Sequence, residues 1–247
     1  PVILIGGIVI NSKFQKQGYF SLLMNKVLNK YNNNLFFLLW SDLNLLYKKF
    51  GFIEAGIQIQ SGNKRFFPQE NIKQTKLNLL PHQHQNEIRE LYKNEYSQYF
   101  TFAREKKEWD DISQITSIDI LYTVKNNSIS SYLFKGKGED LNDIVHESAG
   151  NLRQYNLNNN FIQWLPSNYK ISELDKISFL ALFKVNNTKL LKKLIYQVSN
   201  QNININNIDH SNKTFTLSSR DKNYIMSECD LLNTLFTPRF HTELSKF

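Results

Sequence analysis

Gln15-Lys16-Gln17-Gly18-Tyr19-Phe20 is a short basic turn that joins an apolar segment to an amphipathic helix. Residues 2–10 are apolar around the pair Gly6-Gly7, which predicts a buried strand with a bulge or a close backbone approach. From Phe20 to Tyr31 the apolar residues recur every three or four positions, as on one face of a helix. A strand, a basic turn and a helix in this order can hold an anionic phosphate chain.

The turn has a physical reason to bind phosphate. Backbone amides around Gly18 lie at the amino end of a helix, where the partial positive charge of the helix dipole is found. Glycine allows phosphate oxygens to reach the backbone without a side chain in the way. Gln15, Lys16 and Gln17 add hydrogen-bond donors. The alternative is an ordinary strand-to-helix turn that contains a glycine, because a short glycine turn is a weak signal by itself.

The composition predicts a folded protein with a packed core. The chain has 247 residues, of which 41% are hydrophobic and 13% aromatic, enough for one large domain or two small ones. Its net charge of +8 is compatible with nucleic acid, an anionic membrane or a polyanionic cofactor. The lysines are spread along the chain, which favours a solvated surface over a nucleic-acid interface.

Cysteine usage and hydropathy predict a cytoplasmic protein. Cys229 is the only cysteine, so no internal disulfide forms, which fits a reducing compartment. No apolar run approaches the ~20 residues that a membrane-spanning helix needs.

The sequence begins at Pro1 inside an apolar strand, so we expect residues before it. His82 and His84 have no third ligand nearby in the sequence, and we predict no metal site.

A second strand and helix follow the first helix. Leu35–Trp40 is predicted as a buried strand, and Asp42 as the cap of the next helix. Tyr47 lies on the apolar face of that helix, and Gly51 ends it. Phe52–Gln60 is predicted as another strand.

A polar segment, Ser61–Gln74, is the predicted boundary between two units. The further strands predicted from alternation or apolar runs are Lys76–Leu80, residues 118–124, Ile129–Phe134, Asp143–Ala149, Phe161–Leu165, Phe179–Val185, Thr214–Ser218 and Tyr224–Met226. The further helices begin at Pro81, near Leu190 and near Leu231. The asparagine-rich stretch Asn200–Asn207 is predicted as a loop.

The first 60 residues resemble the GCN5-related N-acetyltransferase family. In that family the turn reads Arg or Gln, two residues, Gly, one residue, then Gly or Ala. Gln15 and Gly18 match this pattern, and Phe20 departs from it because it is large. The second mark is a tyrosine, Tyr47, four residues before Gly51-Phe52. The resemblance implies an α/β protein with a mixed sheet and the acyl-CoA N-acyltransferase fold.

The resemblance also implies the substrate and the site residues. The cosubstrate is acetyl-CoA, and Tyr47 is the general acid that protonates the departing CoA thiolate. Backbone amides of Gln17, Gly18, Tyr19 and Phe20 bind its pyrophosphate. The remaining CoA-binding positions are Val9 and Ile10 on the strand before the turn, Gln15 and Lys16 in it, and Ser41 and Asn44 after the next strand.

We interpret residues 1–74 as an N-terminally incomplete acetyltransferase-like unit that carries the CoA site. Residues 75–247 are interpreted as a second, degenerate unit of the same kind. His146 and Glu147 point to opposite faces of its strand, and Glu147 is the candidate general base. The alternative is a structural pair with one buried and one exposed member.

The sequence therefore predicts an N-acetyltransferase that transfers acetyl directly to an amine. The acceptor is a small molecule or a peptide, and the sequence does not name it. The oligomeric state, a homodimer included, also stays open. The rival interpretation is a non-catalytic protein of the same fold that senses CoA or binds a partner. The absence of an acid between Pro1 and Ile10 favours this rival.

Overall fold

The computed structural model describes residues 2–61, 72–97, 101, 104–138, 141–142, 144–150, 162–164, 175–199, 201–219 and 222–237. Contacts divide the chain into two compact units. The first unit combines Pro1–Ile57 with Phe179–Phe236, and the second spans Gln58–Ser178. The second stretch of chain is therefore inserted within the first unit. The predicted duplication stays a prediction: residues 75–247 would form a second, degenerate unit of the same kind as residues 1–74.

The described residues form a mixed α/β protein, which confirms the predicted fold class. The strands are β1 (Val2–Leu4), β2 (Phe36–Leu39), β3 (Ile53–Ser61), β4 (Lys73–Thr75), β5 (Asp119–Lys125), β6 (Ser128–Lys135), β7 (Ile144–Gly150), β8 (Ile162–Trp164), β9 (Asp175–Val185), β10 (Ile203–Asp209), β11 (Thr214–Ser219) and β12 (Lys222–Ser227). The helices are α1 (Tyr19–Lys30), α2 (Asn44–Lys48), α3 (His82–Tyr96), α4 (Lys106–Ser113), α5 (Thr188–Val198) and α6 (Glu228–Leu235).

The sheet of the first unit has the strand order β1-β2-β9-β3. β1 is parallel to β2, and β2 is antiparallel to β9, with Phe36 opposite Val185. All four residues of β2 are buried. Strands β10, β11 and β12 form a separate antiparallel sheet in the same unit. The parallel pair β1–β2 explains why β2 reads as a continuous apolar run, since a strand of this kind is covered on both faces.

The helix α1 forms where its apolar period predicts it. Its buried residue Met24 joins a core cluster with Phe37, Tyr47 and Phe52. The helix begins after Gly18, whose φ of 85° lies in the left-handed region that favours glycine. α1 therefore fixes one face of the first unit and points its amino end towards the turn.

Two elements near the turn differ from the prediction. Regular strand pairing ends at Leu4, with one further hydrogen bond from the Ile5 amide to the Leu38 carbonyl. The predicted continuation to Ile10 is wrong, and Gly7 has a φ of 63°, which turns the chain out of the extended conformation. Asp42 is not a helix cap: Leu43 precedes α2 with no side-chain cap.

Two predictions in the later sequence are also wrong. Lys76–Leu80 is not a strand but contains a 3₁₀ turn at Leu77–Leu79, after the short strand β4. The predicted loop at Asn200–Asn207 contains β10, because Ile203 and Ile205 alternate with polar residues and are buried. Predicted residues within 151–161 and 165–174 lie outside the described part of the chain.

The second unit has an antiparallel sheet, β4-β5-β6-β7, to which β8 adds a parallel strand. The β5–β6 hairpin turns at Asn126-Asn127, and both residues have positive φ, as their side chains tolerate. The helix predicted from Pro81 is α3, and its apolar stripe, with Ile88 and Tyr92 buried, packs in the core of this unit.

Candidate functional site

The basic turn is held by its own side chains. Asn11 caps a 3₁₀ turn at Ser12–Phe14 by accepting a hydrogen bond from the Lys13 amide. Gln15 Nε2 donates to the Ile10 carbonyl at 3.1 Å, and Gln17 Nε2 donates to the Lys13 carbonyl at 2.9 Å. These glutamine side chains therefore shape the turn that leads into α1.

The amides at the start of α1 are available for a ligand. Within the described residues, no hydrogen-bond acceptor contacts the amides of Gly18, Tyr19 or Phe20. A Cβ placed on Gly18 meets no atom within 4 Å, so the space beside this backbone is open. Lys16 is exposed and also has positive φ, at 61°. This arrangement fits an anion, because unpaired amides and the helix dipole point to one place.

Tyr47 lies in the core cluster next to this turn. It is the last but one residue of α2, and 8% of its surface is exposed. Its ring contacts the rings of Phe20 and Phe52 edge-on, with centroid separations of 5.6 and 6.1 Å. In the described part of the chain its hydroxyl has no hydrogen-bond partner. A phenol of this kind is held in place by its ring and can donate its proton to a ligand.

Phe20 turns into the same cluster. Its ring also contacts Phe50 edge-on, with centroids 5.7 Å apart. The first turn of α1 thus carries an aromatic side chain on its core side. The large residue that departs from the family pattern is accommodated by packing.

Gly51 has the left-handed conformation expected after α2, with a φ of 83°. It ends the helix that carries Tyr47, and Phe52 then enters the core with 1% exposure. The tyrosine is therefore positioned from both sides, by the helix and by the strand β3 that follows it.

The other predicted CoA-binding positions lie in the segments of chain that follow β1 and β2. Val9 is 81% exposed. The Ser41 hydroxyl accepts a hydrogen bond from the Leu43 amide at 3.0 Å. Asn44 Nδ2 donates to Glu54 Oε1, while Asn44 Oδ1 is buried without a hydrogen-bond partner among the described residues. Asn44 also lines a cavity of about 270 Å³.

A buried acceptor without a donor is a functional hint, because leaving it unpaired costs about 1–3 kcal/mol. A donor from a ligand, such as an amide group, would satisfy Asn44 Oδ1. Glu54, which orients this side chain, was not predicted, since an exposed acid on a strand gives no signal in the sequence.

Glu147 belongs to the second unit, and Tyr47 to the first. The Glu147 carboxylate is 4% exposed and accepts hydrogen bonds from both terminal nitrogens of Arg104 and from the Tyr132 hydroxyl. Burial, and then the neighbouring Glu147 charge, raise the pKa of Tyr132 well above its usual value. The adjacent His146 ring lies 3.0 Å from the Gly136 carbonyl, and its pKa is lowered by burial.

Within the ranges that the structure describes, no three His, Cys, Asp or Glu side chains are grouped as metal ligands. Across the same ranges, no helix combines the length and the apolar character needed to cross a membrane.

Comparison with known proteins identifies the fold. No family model and no curated protein matches the sequence. A solved structure of a probable N-acyltransferase of unknown function from Enterococcus faecalis matches with a TM-score of 0.55 and 11% identity, over 92% of this chain and 67% of that chain. A GCN5-related N-acetyltransferase from Anabaena variabilis matches with a TM-score of 0.52 and 11% identity, over 92% and 68%.

These likenesses concern the fold, since the identities are low. The chain has the acyl-CoA N-acyltransferase fold, as the sequence predicted. It spans about two thirds of the length of each of these two proteins.

Proposed function

We propose that this protein is an acetyl-CoA-dependent N-acetyltransferase. The observation that carries the proposal is the contact between Tyr47 and Phe20. It joins the candidate acid to the first turn of α1, where unpaired amides follow Gly18. The proposed phosphate-binding turn and the proposed proton donor are thus joined by one ring contact.

The substrate would bind along the ends of β1 and β2. The pyrophosphate of acetyl-CoA accepts hydrogen bonds from the amides at the start of α1, with Lys16 and the turn glutamines around it. The amides of the pantetheine arm supply the donor that Asn44 Oδ1 lacks. Ser41 borders the same strand end. Backbone groups of Val9 and Ile10, beyond the last β1–β2 hydrogen bond, polarise the thioester carbonyl.

The reaction is a direct transfer. The neutral acceptor amine attacks the thioester carbonyl carbon, a carbon–nitrogen bond forms, and the carbon–sulfur bond breaks. Tyr47 gives its phenolic proton to the leaving thiolate, which makes CoA a better leaving group. The excess proton of the acetylated nitrogen passes to a base or to water, and Tyr47 regains a proton in the same turnover.

Glu147 stays the sequence's candidate for that base. Its oxygens already accept hydrogen bonds from Arg104 and Tyr132. A proton on Glu147 would weaken these hydrogen bonds, because a neutral carboxyl group is a poorer acceptor than a carboxylate. We therefore propose the acid role of Tyr47 as the main catalytic assignment.

The test has two stages. A thermal-shift assay compares acetyl-CoA, CoA and ATP, and we expect stabilisation by acetyl-CoA and CoA. Acetyl transfer is then measured by release of free thiol, with small amines and peptides as acceptors. A melting temperature that does not respond to acetyl-CoA would overturn the proposal.

The second candidate function is a CoA-binding sensor without catalysis. It is favoured by the engaged carboxylate of Glu147 and by the absence of an acid between Pro1 and Ile10. A sensor would be stabilised by acetyl-CoA and CoA alike and would release no thiol with any acceptor.

A further inference from the structure

A cavity of about 270 Å³ lies between α2 and β3 in the first unit. The polar side chains that line it are Asn44, Lys48 and Glu54, and the apolar ones are Leu45, Phe52, Ile53 and Leu182. The proposed function assigns Asn44 to the pantetheine arm and gives Glu54 no part in binding.

The side-chain amide of Asn44 has a donor end and an acceptor end, and the two ends have different surroundings. The donor end, Nδ2, gives a hydrogen bond to Glu54 Oε1. The acceptor end, Oδ1, is buried and has no hydrogen-bond partner among the described residues, although Lys48 lines the same cavity. The amide is thus paired on its donor side and open on its acceptor side.

Glu54 decides which end of this amide is left open. A carboxylate accepts hydrogen bonds and donates none, so only the NH₂ end of Asn44 pairs with it. The reversed amide would bring Asn44 Oδ1 against the carboxylate oxygens, where two acceptors repel each other. Because hydrogen bonds to a charged partner are stronger than neutral ones, the observed orientation is held firmly.

The backbone that carries Glu54 is fixed by α6. The Cys229 thiol donates to the Glu54 carbonyl at 3.5 Å. Two positions further along β3, the Gly56 amide donates to Asn233 Oδ1 at 2.8 Å. Asn233 Nδ2 in turn donates to the Cys229 sulfur at 3.6 Å. The carboxylate therefore belongs to a strand segment that is held before any ligand binds, which lowers the entropic cost of binding.

We propose that Glu54 is a positioning residue, which makes the Asn44 amide select a ligand group that donates a hydrogen bond. The inference rests on the proposed function, in which this donor is an amide N–H of the pantetheine arm. Glu54 acts through Asn44 and does not touch the ligand. A ligand group that only accepts, such as an ester oxygen, leaves Asn44 Oδ1 unpaired and is rejected for that reason.

This role predicts an effect of the opposite sign to simple electrostatics. CoA is a polyanion, so the loss of the Glu54 charge should by itself leave CoA affinity unchanged or raise it. A glutamine in place of Glu54, however, donates as well as accepts, so it no longer holds the Asn44 amide in one orientation. A reversed amide turns its own donor towards the pantetheine N–H. Glu54→Gln is therefore expected to weaken CoA binding.

Calorimetric titration of the full chain measures this effect with two ligands. One is CoA, and the other is 3′-phospho-ADP, which keeps the nucleotide and the pyrophosphate of CoA but lacks the pantetheine arm. We expect Glu54→Gln to bind CoA about three- to tenfold more weakly than the parent, as for the loss of one hydrogen bond. Its affinity for 3′-phospho-ADP should stay the same, which also shows that the variant is folded.

The matched control is Asp42→Asn. It removes the same charge from an exposed residue of the same unit that does not line the cavity. We expect this control to bind CoA as tightly as the parent or more tightly. An equal loss of CoA affinity in Asp42→Asn and Glu54→Gln would overturn the role of Glu54.

A double-mutant cycle shows whether Glu54 acts through Asn44. Asn44→Ala removes the oriented amide, and we expect it to weaken CoA binding by a similar factor. Adding Glu54→Gln to Asn44→Ala should then cost no further affinity. If the two losses add, or if Glu54→Gln alone binds CoA as the parent does, Glu54 is not a positioning residue.

The outcomes separate the role of Glu54 from the catalytic proposal. A parent chain that acetylates an amine, with no effect of Glu54→Gln on CoA affinity, overturns the role of Glu54 alone. CoA binding without thiol release, together with the expected loss in Glu54→Gln, overturns catalysis and supports the role of Glu54. A parent chain that binds neither CoA nor acetyl-CoA overturns both.

Discussion

The ring of Tyr47 packs edge-on against the ring of Phe20, with 5.6 Å between their centroids. Phe20 follows Gly18 by two residues, at the amino end of α1. Tyr47 lies near the carboxyl end of α2. This contact means that a substitution at either ring also tests the geometry of the turn that we propose binds phosphate.

Tyr47→Phe is expected to lower kcat about a hundredfold, which is the order of magnitude for losing a positioned proton donor. The affinity for acetyl-CoA should change little, because phenylalanine keeps the ring contacts with Phe20 and Phe52. Steady-state kinetics and calorimetric titration with acetyl-CoA measure the two quantities separately.

Tyr31→Phe is the matched control for this substitution. Tyr31 packs against the same cluster, and losing its hydroxyl should leave kcat unchanged. If Tyr47→Phe lowers affinity and kcat by the same factor, Tyr47 is a structural residue and its acid role is wrong.

Phe20→Ala is expected to destabilise the protein by about 2–4 kcal/mol, since it removes a ring from a packed cluster. Its contacts with Tyr47 and Phe50 would be lost. The free energy of unfolding from urea titration checks this. Leu22 lies on the same helix and is 65% exposed. The control Leu22→Ala should therefore cost less than about 0.5 kcal/mol. Equal costs for the two variants would show that Phe20 does not pack as described.

Gly18→Ala is expected to weaken acetyl-CoA binding and to cost about 1–2 kcal/mol of stability. The stability cost arises from its φ of 85°, which alanine adopts only under strain. The binding loss arises because the added methyl group enters the open space beside the amides. Gly6→Ala is the control, since Gly6 has no positive φ and its added Cβ also meets no atom within 4 Å. A Gly18→Ala variant that binds acetyl-CoA as the parent does would place the pyrophosphate elsewhere.

Glu87 should make the stability depend on acid pH. Partial burial raises the pKa of its carboxyl, but hydrogen bonds from the Ile129 amide, Gln83, His84 and Ser128 outweigh burial and lower this pKa to about 2. A pKa below that of the unfolded chain means that Glu87 stabilises the fold above about pH 4.3. This contribution is lost as the pH falls towards 2.

The variant Glu87→Gln isolates that contribution. We expect it to be less stable than the parent at pH 6, and the difference to shrink as the pH is lowered from 4.5 to 2.5. Urea titrations of the variant and the parent at several pH values measure this difference in the free energy of unfolding. If the difference in the free energy of unfolding stays constant with pH, the charge of the Glu87 carboxylate does not stabilise its contact with the Ile129 amide.

The pair Arg104–Glu147 is expected to behave as one unit. Arg104→Met and Glu147→Gln should each cost about 2–5 kcal/mol, because each leaves a polar or charged partner buried without its hydrogen bonds. The double variant should cost much less than the two single losses added together. Additive losses in the free energy of unfolding would contradict the direct contact.

Local patterns in the sequence predicted the elements that depend on local chemistry. α1 follows from its apolar period, and the left-handed conformation of Gly51 follows from its place after a helix. The Asn126-Asn127 turn follows from side chains that tolerate positive φ. Each of these features depends on a few neighbouring residues.

Features that depend on distant residues were not predictable. β10 lies in an asparagine-rich stretch, and its Ile203 and Ile205 are buried only after β10 has paired with β11 and packed against α5. The engagement of Glu147 by Arg104 depends on residues 43 positions apart. Asn44 was predicted as a ligand contact, but its partner Glu54 was not, because β3 brings it near only in the fold.

Because β2 pairs with β9, it cannot complete its place in the sheet until most of the chain has been synthesised. At roughly 5–20 residues per second, a ribosome needs about 7 to 30 seconds to make the roughly 150 residues between Phe36 and Val185. During that time the apolar strand Phe36–Leu39 lacks its neighbour and is open to chaperones or to other nascent chains. The efficiency of folding in the cell therefore depends on how that strand is shielded during translation.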